Sequence, residues 1–346
     1  MTKISPPIVY LDQCHWITLA RAQFARNKIF SSDELAAADS ILKAAKDGLI
    51  RLPLSGAHVV ETAKAGNGKR RHQLADTMLS AYDGWHMNNP VIVRGEELAR
   101  ALAQQDASLD RDQVFNQHPG TPFGVDMPDV CSDQTLPLHV QRLVEDLSWR
   151  WAWADTLRSD TYEDLEWTAA SEAIQGWART HQDLSTYLME HPANRNLRVV
   201  AASQTFADLE QEIAATIVRV GLSVGELQKR LHADNLVEFF LQLPFVGRVM
   251  EITHIRLRNP QDAWVENDLI DLLFLSCAAA YADFVVAERK ATHLLRQAAR
   301  RARSGATIFA TLYELCLIWI PDRSGIRNSM LLFAQRVPTL SDLVMF

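Results

Sequence analysis

The chain has 346 residues, 48% of them hydrophobic and 22% charged, close to the values of an ordinary folded protein. This excludes a disordered chain and leaves enough apolar material for one large domain or two smaller ones. The 35 basic and 42 acidic side chains leave a net charge of −7, which excludes a uniformly basic nucleic-acid coat but not a local basic patch. Cys14, Cys131, Cys277 and Cys316 form no CxxC pair. Neither a zinc ligand set nor a disulfide framework is expected, and a reducing compartment is. The opening residues lack an apolar signal region, and no run of about 18 apolar residues is free of charge. A cytoplasmic protein with no membrane span is therefore expected.

In chain order, Ile8 to Asp12 is a short apolar run ending in a carboxylate, as in a buried strand. A helix is predicted from His15 to about Arg26, and a second, capped near Ser31, to Lys46, with Gly48 closing it. Leu49 to Leu54 reads as a strand, and Ser55 or Gly56 opens a helix through Glu61 and Lys64. Gly66 to Arg71 reads as a basic, glycine-broken loop. A further helix, a Val91–Val93 strand and a helix from Glu96 to Ala103 follow.

Residues 104–137 are rich in Asp, Pro, Gly and Gln and read as a long loop. From His139 to Leu243 every periodic segment is helical. Residues 105–170 carry thirteen acidic and four basic side chains, a poor surface for nucleic acid. Strand and helix alternate again from about Val249. A helix is predicted over 267–280 with an Asn or Asp cap. A buried strand over 283–287, a basic helix over 289–303, a strand over 306–310 and a segment over 311–320 complete the reading. The fold class is α/β, with a large all-α insertion. The expected division is 1–95, 96–249 as the helical insertion, 250–320, and a tail over 321–346.

Several carboxylates fall at strand ends or on the first turn of the following helix: Asp12, Asp268, Asp271, Asp283 and Glu288, with Glu61 on the helix after the second strand. Ligands of open parallel sheets bind beyond the carboxyl ends of strands. Acids gathered there repel one another unless a cation neutralises them, and Mg²⁺ or Mn²⁺ suits carboxylate donors. A cation so held activates water against a phosphodiester. Each acid also fits a plain structural role. Asp12 could be a turn former or helix cap, Asp268 and Asp271 solvated first-turn acids, Asp283 a strand-entry cap and Glu61 a surface residue.

The run Val9-Tyr-Leu-Asp12 resembles the opening of PIN-domain nucleases, and its extended form Tyr10-Leu-Asp-Gln-Cys-His-Trp-Ile17 is similar to the opening of some PIN-like bacterial proteins. The C-terminal stretch Asp268-Leu-Ile-Asp271, Asp283 and Val285-Val-Ala-Glu-Arg-Lys290 is similar to the second half of such domains. Ser55-Gly-Ala-His-Val-Val-Glu61 stands at the place of their second acid. The resemblance covers residues 5–95 and 250–315. Ala287 and Glu288 depart from the family's Thr and Asp, and the insertion is long for it.

The resemblance implies a PIN-like parallel sheet flanked by helices and a metal-dependent endoribonuclease. Asp12, Glu61, Asp271 and Glu288 would hold one or two Mg²⁺ or Mn²⁺ ions, with Asp268 and Asp283 in support. Single-stranded RNA is the implied substrate, with DNA left open as the alternative, and RNA processing, toxin–antitoxin pairs or defence are the implied settings. The alternative is a weakened or inactive PIN-like module that binds a protein partner, or a second copy of itself, through its helical half.

His15, Lys69, Arg70, Arg71, Arg289 and Lys290 are the candidate substrate contacts, being close in sequence to the acids. Arg296, Arg300 and Arg303 are spaced for one helix face, and an ordinary solvated face is the expectation for Arg300 and Arg303. The tryptophans at 149, 151, 153, 167 and 177 are expected in the core, a partner groove being the minor reading. The sequence holds no P-loop, HExxH, GxSxG or GxGxxG motif.

Overall fold

Short apolar runs from the two ends of the chain build one parallel sheet. The computed structural model describes residues 5–29, 31–65, 67–124, 135–159, 168–191, 196–232 and 235–319. The expected tail, Cys131 and Trp167 lie outside the described residues.

Strand β1 (Val9–Leu11) leads into α1 (Gln13–Phe24), followed by α2 (Ser32–Lys46), α3 (Gly56–Ala63) and α4 (Gly68–Ala81). Then come β2 (His86–Met87), α5 (Pro90–Leu102), α6 (Arg111–Val114) and β3 (Phe115–Asn116). The middle of the chain is helical: α7 (Leu138–Arg158), α8 (Thr168–Glu190), α9 (Leu197–Asp208), α10 (Glu210–Val220), α11 (Val224–Arg230) and α12 (Leu236–Leu241). The last part runs through α13 (Val246–Leu257), α14 (Asn267–Tyr281), β4 (Phe284–Val286), α15 (Arg289–Ala298), β5 (Thr307–Phe309) and α16 (Leu312–Trp319). The protein is thus mixed α/β and mostly helical, with a large all-α portion.

The sheet order is β1-β4-β5, all parallel, with Val9 opposite Phe284 and Phe284 opposite Thr307. On the far side of β1, Ile8 bridges Arg51 in parallel, and Leu54 in turn bridges His86. The extended segment 51–54 therefore lies between β1 and β2, and the winding direction reverses between β1 and β4. Side chains alternate across the sheet. Val9, Leu11, Val286 and Phe309 enter a core with α1, α2 and α4, whereas Ile8, Tyr10, Val285 and Ile308 enter one with α14. Both faces are covered, which is why these strands read as unbroken apolar runs. A third core unites Leu98 and Leu102 of α5 with Ala201, Ile213, Phe240 and Met250 of the helical portion. Helix α5 thus spans the expected 95/96 boundary, and α13 spans the one at 249/250.

Several local expectations need correction. Val91–Val93 is not a strand but the start of α5. Asn89 caps it by accepting the Val91 N–H at 2.9 Å, and Pro90 stands at its first turn. Val91 and Ile92 are exposed while Val93 is buried, so one helical face outweighs their β preference. The basic stretch 69–71 is helical rather than looped, because Asn67 caps α4 through the Arg70 N–H at 3.1 Å. Leu49 and Ile50 form a bend rather than a strand, and residues 51–54 pair, among the described residues, only through isolated bridges. Val249 lies inside α13, and the cap of α14 is Glu266. Gly48 does close α2, with φ +66°. Gly305 is needed for a different reason: a Cβ there would sit 2.2 Å from the Ala279 carbonyl.

Candidate acidic site at the carboxyl edge of the sheet

Asp12 follows the last residue of β1 and caps α1, accepting the Gln13 N–H at 2.7 Å through Oδ1. Its Oδ2 accepts the Glu288 N–H at 3.2 Å. Asp12 thereby ties the end of β1 to the end of β4 at the point where the winding reverses, the usual ligand crevice of such sheets. Glu288 itself is the exposed cap residue of α15.

Glu61 reaches the same place from α3. His58, one turn earlier, anchors that helix under β1. Its Nδ1 accepts the Ser55 N–H at 3.1 Å, and its Nε2 faces the Leu11 carbonyl at 2.8 Å. These partners select the neutral tautomer with the proton on Nε2, and burial lowers the ring's pKa to about 4. Gln13 adds a second tie between α1 and α3, donating to Thr62 Oγ1 at 3.0 Å. Residues 58 and 61 share a helix face, so fixing His58 aims Glu61.

Asp271 comes from α14. Beyond it, Leu272, Leu275, Cys277, Ala278 and Ala279 are all buried. Their burial draws the helix against the sheet and carries Asp271 to its edge. Asp12, Glu61 and Asp271 line one small pocket with Tyr10, Gln13 and His58.

Burial, then repulsion from Asp12 and Asp271, pushes Glu61 up to about 8, with Lys64 opposing. Burial, then Asp12, Glu288 and Asp268, pushes Asp271 up to about 7, with Lys290 opposing. Neither acid has an ion-pair partner among the described residues. An all-oxygen, uncompensated donor set of this kind fits a hard divalent cation in its chemistry. Its geometry is not pre-assembled. Among the described residues no group of three or more His, Cys, Asp or Glu side chains is placed to hold one ion as it stands, so joint ligation requires side-chain rotation.

Of the other predicted residues, Asp268 and Lys290 line the larger pocket adjoining Asp271, and the rest fall elsewhere. Asp268 caps its own turn by accepting the Val265 N–H at 2.7 Å and pairs with Arg256 at 3.0 Å. Asp283 stands at the entry of β4, the opposite end of the sheet from Asp12, so it is not a ligand of this cluster. There it receives both arms of Arg111, at 2.9 and 2.7 Å, and the Ile8 N–H at 2.8 Å. His15 is buried and lines neither this pocket nor its larger neighbour. Burial lowers its pKa, with the Ala287 backbone opposing, and it sits in the interior, away from the lining of both pockets.

Arg71 is also buried, 3% exposed, and cannot offer its charge to an outside ligand. Lys69 and Arg70 are exposed at the start of α4 and line neither pocket. Arg289 and Lys290 are exposed on the first turn of α15, and Lys290 pairs with Asp262 at 2.7 Å. Helix α15 ends at Ala298, so Arg300 and Arg303 leave the expected face. Arg296 holds the Ile308 carbonyl at 2.8 Å and pairs with Glu314, while Arg303 pairs with Asp106.

The sequence reading missed a support that reaches the site from the helical portion. Trp264 donates from Nε1 to Ser185 of α8 at 3.1 Å and from its backbone to Gln182 at 3.0 Å. Arg256 stacks 3.6 Å over the Trp264 ring and pairs with Asp268, one turn before Asp271. No motif marks Arg256 and Trp264, since they meet only through the fold. His58 was more accessible, because a histidine three residues before Glu61 shares its helix face.

The chain has no significant match among protein-family models, curated proteins or solved structures. None of the described helices is long and apolar enough to cross a membrane.

Proposed function

We propose that the chain is a metal-dependent endoribonuclease of PIN type, acting through Asp12, Glu61, Asp271 and Glu288 on Mg²⁺ or Mn²⁺. The observation that carries this reading is the convergence of Asp12, Glu61 and Asp271 from three separate elements on one pocket, with no cation paired to Glu61 or Asp271. Structural acids in folded proteins are ordinarily paired or fully solvated, whereas Glu61 and Asp271 are half-buried and have no ion-pair partner among the described residues. The order 51–54, β1, β4, β5 and the motifs at both chain ends support it. The choice of RNA rests on the sequence resemblance alone.

When bound, a divalent cation supplies a Lewis acid and a water of lowered pKa. The chain's own residues do the rest. The backbone N–H groups of Gln13 and Glu288 fix the Asp12 carboxylate. Helices α3 and α14 present Glu61 and Asp271 to the same pocket. Arg289 and Lys290 set positive charge beside Glu288 for phosphate oxygens.

Purified protein should cleave single-stranded RNA with Mn²⁺ or Mg²⁺, and EDTA or Asp12→Asn should abolish the cleavage. Absence of both cleavage and Mn²⁺ binding in the wild-type protein would sink the reading.

One observation favours a second reading, a protein-binding module. On α7, Leu143, Leu147 and Trp151 are exposed at four-residue spacing, Trp151 by 76%, while Trp153 on the other face is buried against His86 and Phe123. An inactive protein that retains a partner through this stripe would fit that reading.

A further inference from the structure

Beside the acidic pocket, and sharing Asp271 and Leu275 with it, lies a larger one of about 400 Å³ including its open mouth. Part of its wall is aliphatic, with Leu272 and Leu275 from α14 and Leu294 and Leu295 from α15, and its charged part includes Arg256, Asp268 and Asp271. Ser276 belongs to its lining, is fully buried, and its hydroxyl has no hydrogen-bond partner. Glu288 and Lys290 also line it, Lys290 being 47% exposed.

We infer that this pocket receives a nucleobase of a single-stranded nucleic acid whose neighbouring phosphate lies at the acidic site; the inference rests on the nuclease reading and extends it. Three features select that ligand class. The aliphatic part of the wall wants an apolar surface, which the two faces of a heterocycle provide. The Ser276 hydroxyl wants a donor or acceptor, and leaving it unpaired in an occupied pocket is unfavourable. A hydrocarbon ligand would satisfy the aliphatic part and strand the hydroxyl, whereas a base satisfies both. Finally, the wall at Asp271 is common to both pockets, so a ligand seated here places its sugar–phosphate linkage beside the acids, with Lys290 within reach of the phosphate.

A base inside a duplex cannot enter such a pocket without leaving its stack. The pocket therefore confers a preference for single strands, which no acid in the site could impose alone. It also confers a preference for one kind of base, through the edge that Ser276 contacts.

The test uses the full-length protein in EDTA, so that binding is read apart from cleavage. The four nucleoside 5′-monophosphates and ribose 5-phosphate are titrated by calorimetry into wild type, Leu294→Trp and Ser276→Ala. Leu294 is only half-buried, so the larger side chain can fill the pocket from its rim, and melting curves check folding. At least one monophosphate should bind about tenfold or more tighter than ribose 5-phosphate, a difference of about 1.4 kcal/mol. Leu294→Trp should erase that difference, and Ser276→Ala should reduce it and flatten the ranking of the bases. Ribose 5-phosphate binding as tightly as every monophosphate would overturn the inference. So would an unchanged ranking in a folded Leu294→Trp or, should that variant not fold, in Ser276→Ala. Base-dependent binding without RNA cleavage in Mn²⁺ would leave the pocket standing and remove the nuclease reading. Cleavage without base-dependent binding would do the reverse.

Discussion

The two ends of the same parallel sheet treat their acids in opposite ways. At the amino end, Asp283 is closed off by both arms of Arg111 and the Ile8 N–H. At the carboxyl end, Glu61 and Asp271 sit half-buried with burial and neighbouring acids acting against their ionisation, and only Lys64 and Lys290 opposing. Both arrangements lie next to strands of three residues, so strand length does not explain the difference. An acid whose task is to hold the fold is given its counter-charge by the chain. One left without it costs stability, and such a cost persists where something else supplies the charge.

The largest effect that can break this contrast is on cleavage. Asp271→Asn should lower RNA cleavage at least about 100-fold, by loss of a proposed metal ligand. Asp283→Asn should leave it within about threefold, since that acid serves the fold. Equal losses in the two variants would dissolve the distinction between the ends of the sheet.

Next comes metal linkage. Millimolar Mn²⁺ should raise the melting temperature by several degrees at pH 8, as expected of about 2–3 kcal/mol for a site near 100-fold saturation. The rise should vanish in Asp12→Asn. A shift of the same size in that variant would place the ion elsewhere.

The metal-free protein should show a smaller effect, with a definite sign. Glu61 near 8 and Asp271 near 7 stand above their unfolded values of about 4.3 and 3.9. Between those limits the native state binds more protons than the unfolded chain. The stability gained from this is full below about pH 4 and is lost as pH rises through 7 to 8. Above about pH 6.5 the buried histidines His15, His58 and His86, whose pKa values burial lowers, are neutral in both states, so melting temperature should fall from pH 6.5 to pH 8, and Glu61→Gln should flatten part of the fall. A rise over that range would show that the two acids are already ionised and paired in the native state.

The smallest effect is at the amino end. Arg111→Ala should cost about 1 kcal/mol or less, because Arg111 is 46% exposed and screened. Cleavage should be untouched. A large loss of activity would mean that the two ends of the sheet communicate.

Much of the frame was legible in the sequence. Buried strands announce themselves as apolar runs, so β1, β4 and β5 were found within a residue or two, as were α1, α2, α3 and α14. The acids at strand ends followed from those strands. Sequence reasoning failed where a cap outweighed local preference, as at Asn89 before Val91 and Asn67 before Lys69. It also failed where burial reversed a charged residue's expected exposure, as at Arg71. Asp283 shows the general difficulty. Its spacing placed it with the other acids, but a three-residue strand separates its end of the sheet from theirs. The stack of Arg256 on Trp264 left no trace, because its partners are on α13, the loop before α14 and α8.

The hydrogen bond from Glu288 to Asp12 joins residues 276 positions apart. During synthesis the chain grows from its N-terminus at about 5–20 residues per second. Asp12 therefore emerges roughly 15–55 s before the residues that complete its surroundings. A nascent chain that stops before Tyr281 lacks a complete α14, and one that stops before Glu288 lacks the turn that closes on Asp12. The sheet's central pairing cannot form until β4 has been made, and its long closure is the kind of contact that slows folding. The acidic centre is consequently timed by the separation of its parts along the chain: whatever chemistry it performs is withheld until the residues that close on Asp12 have been made.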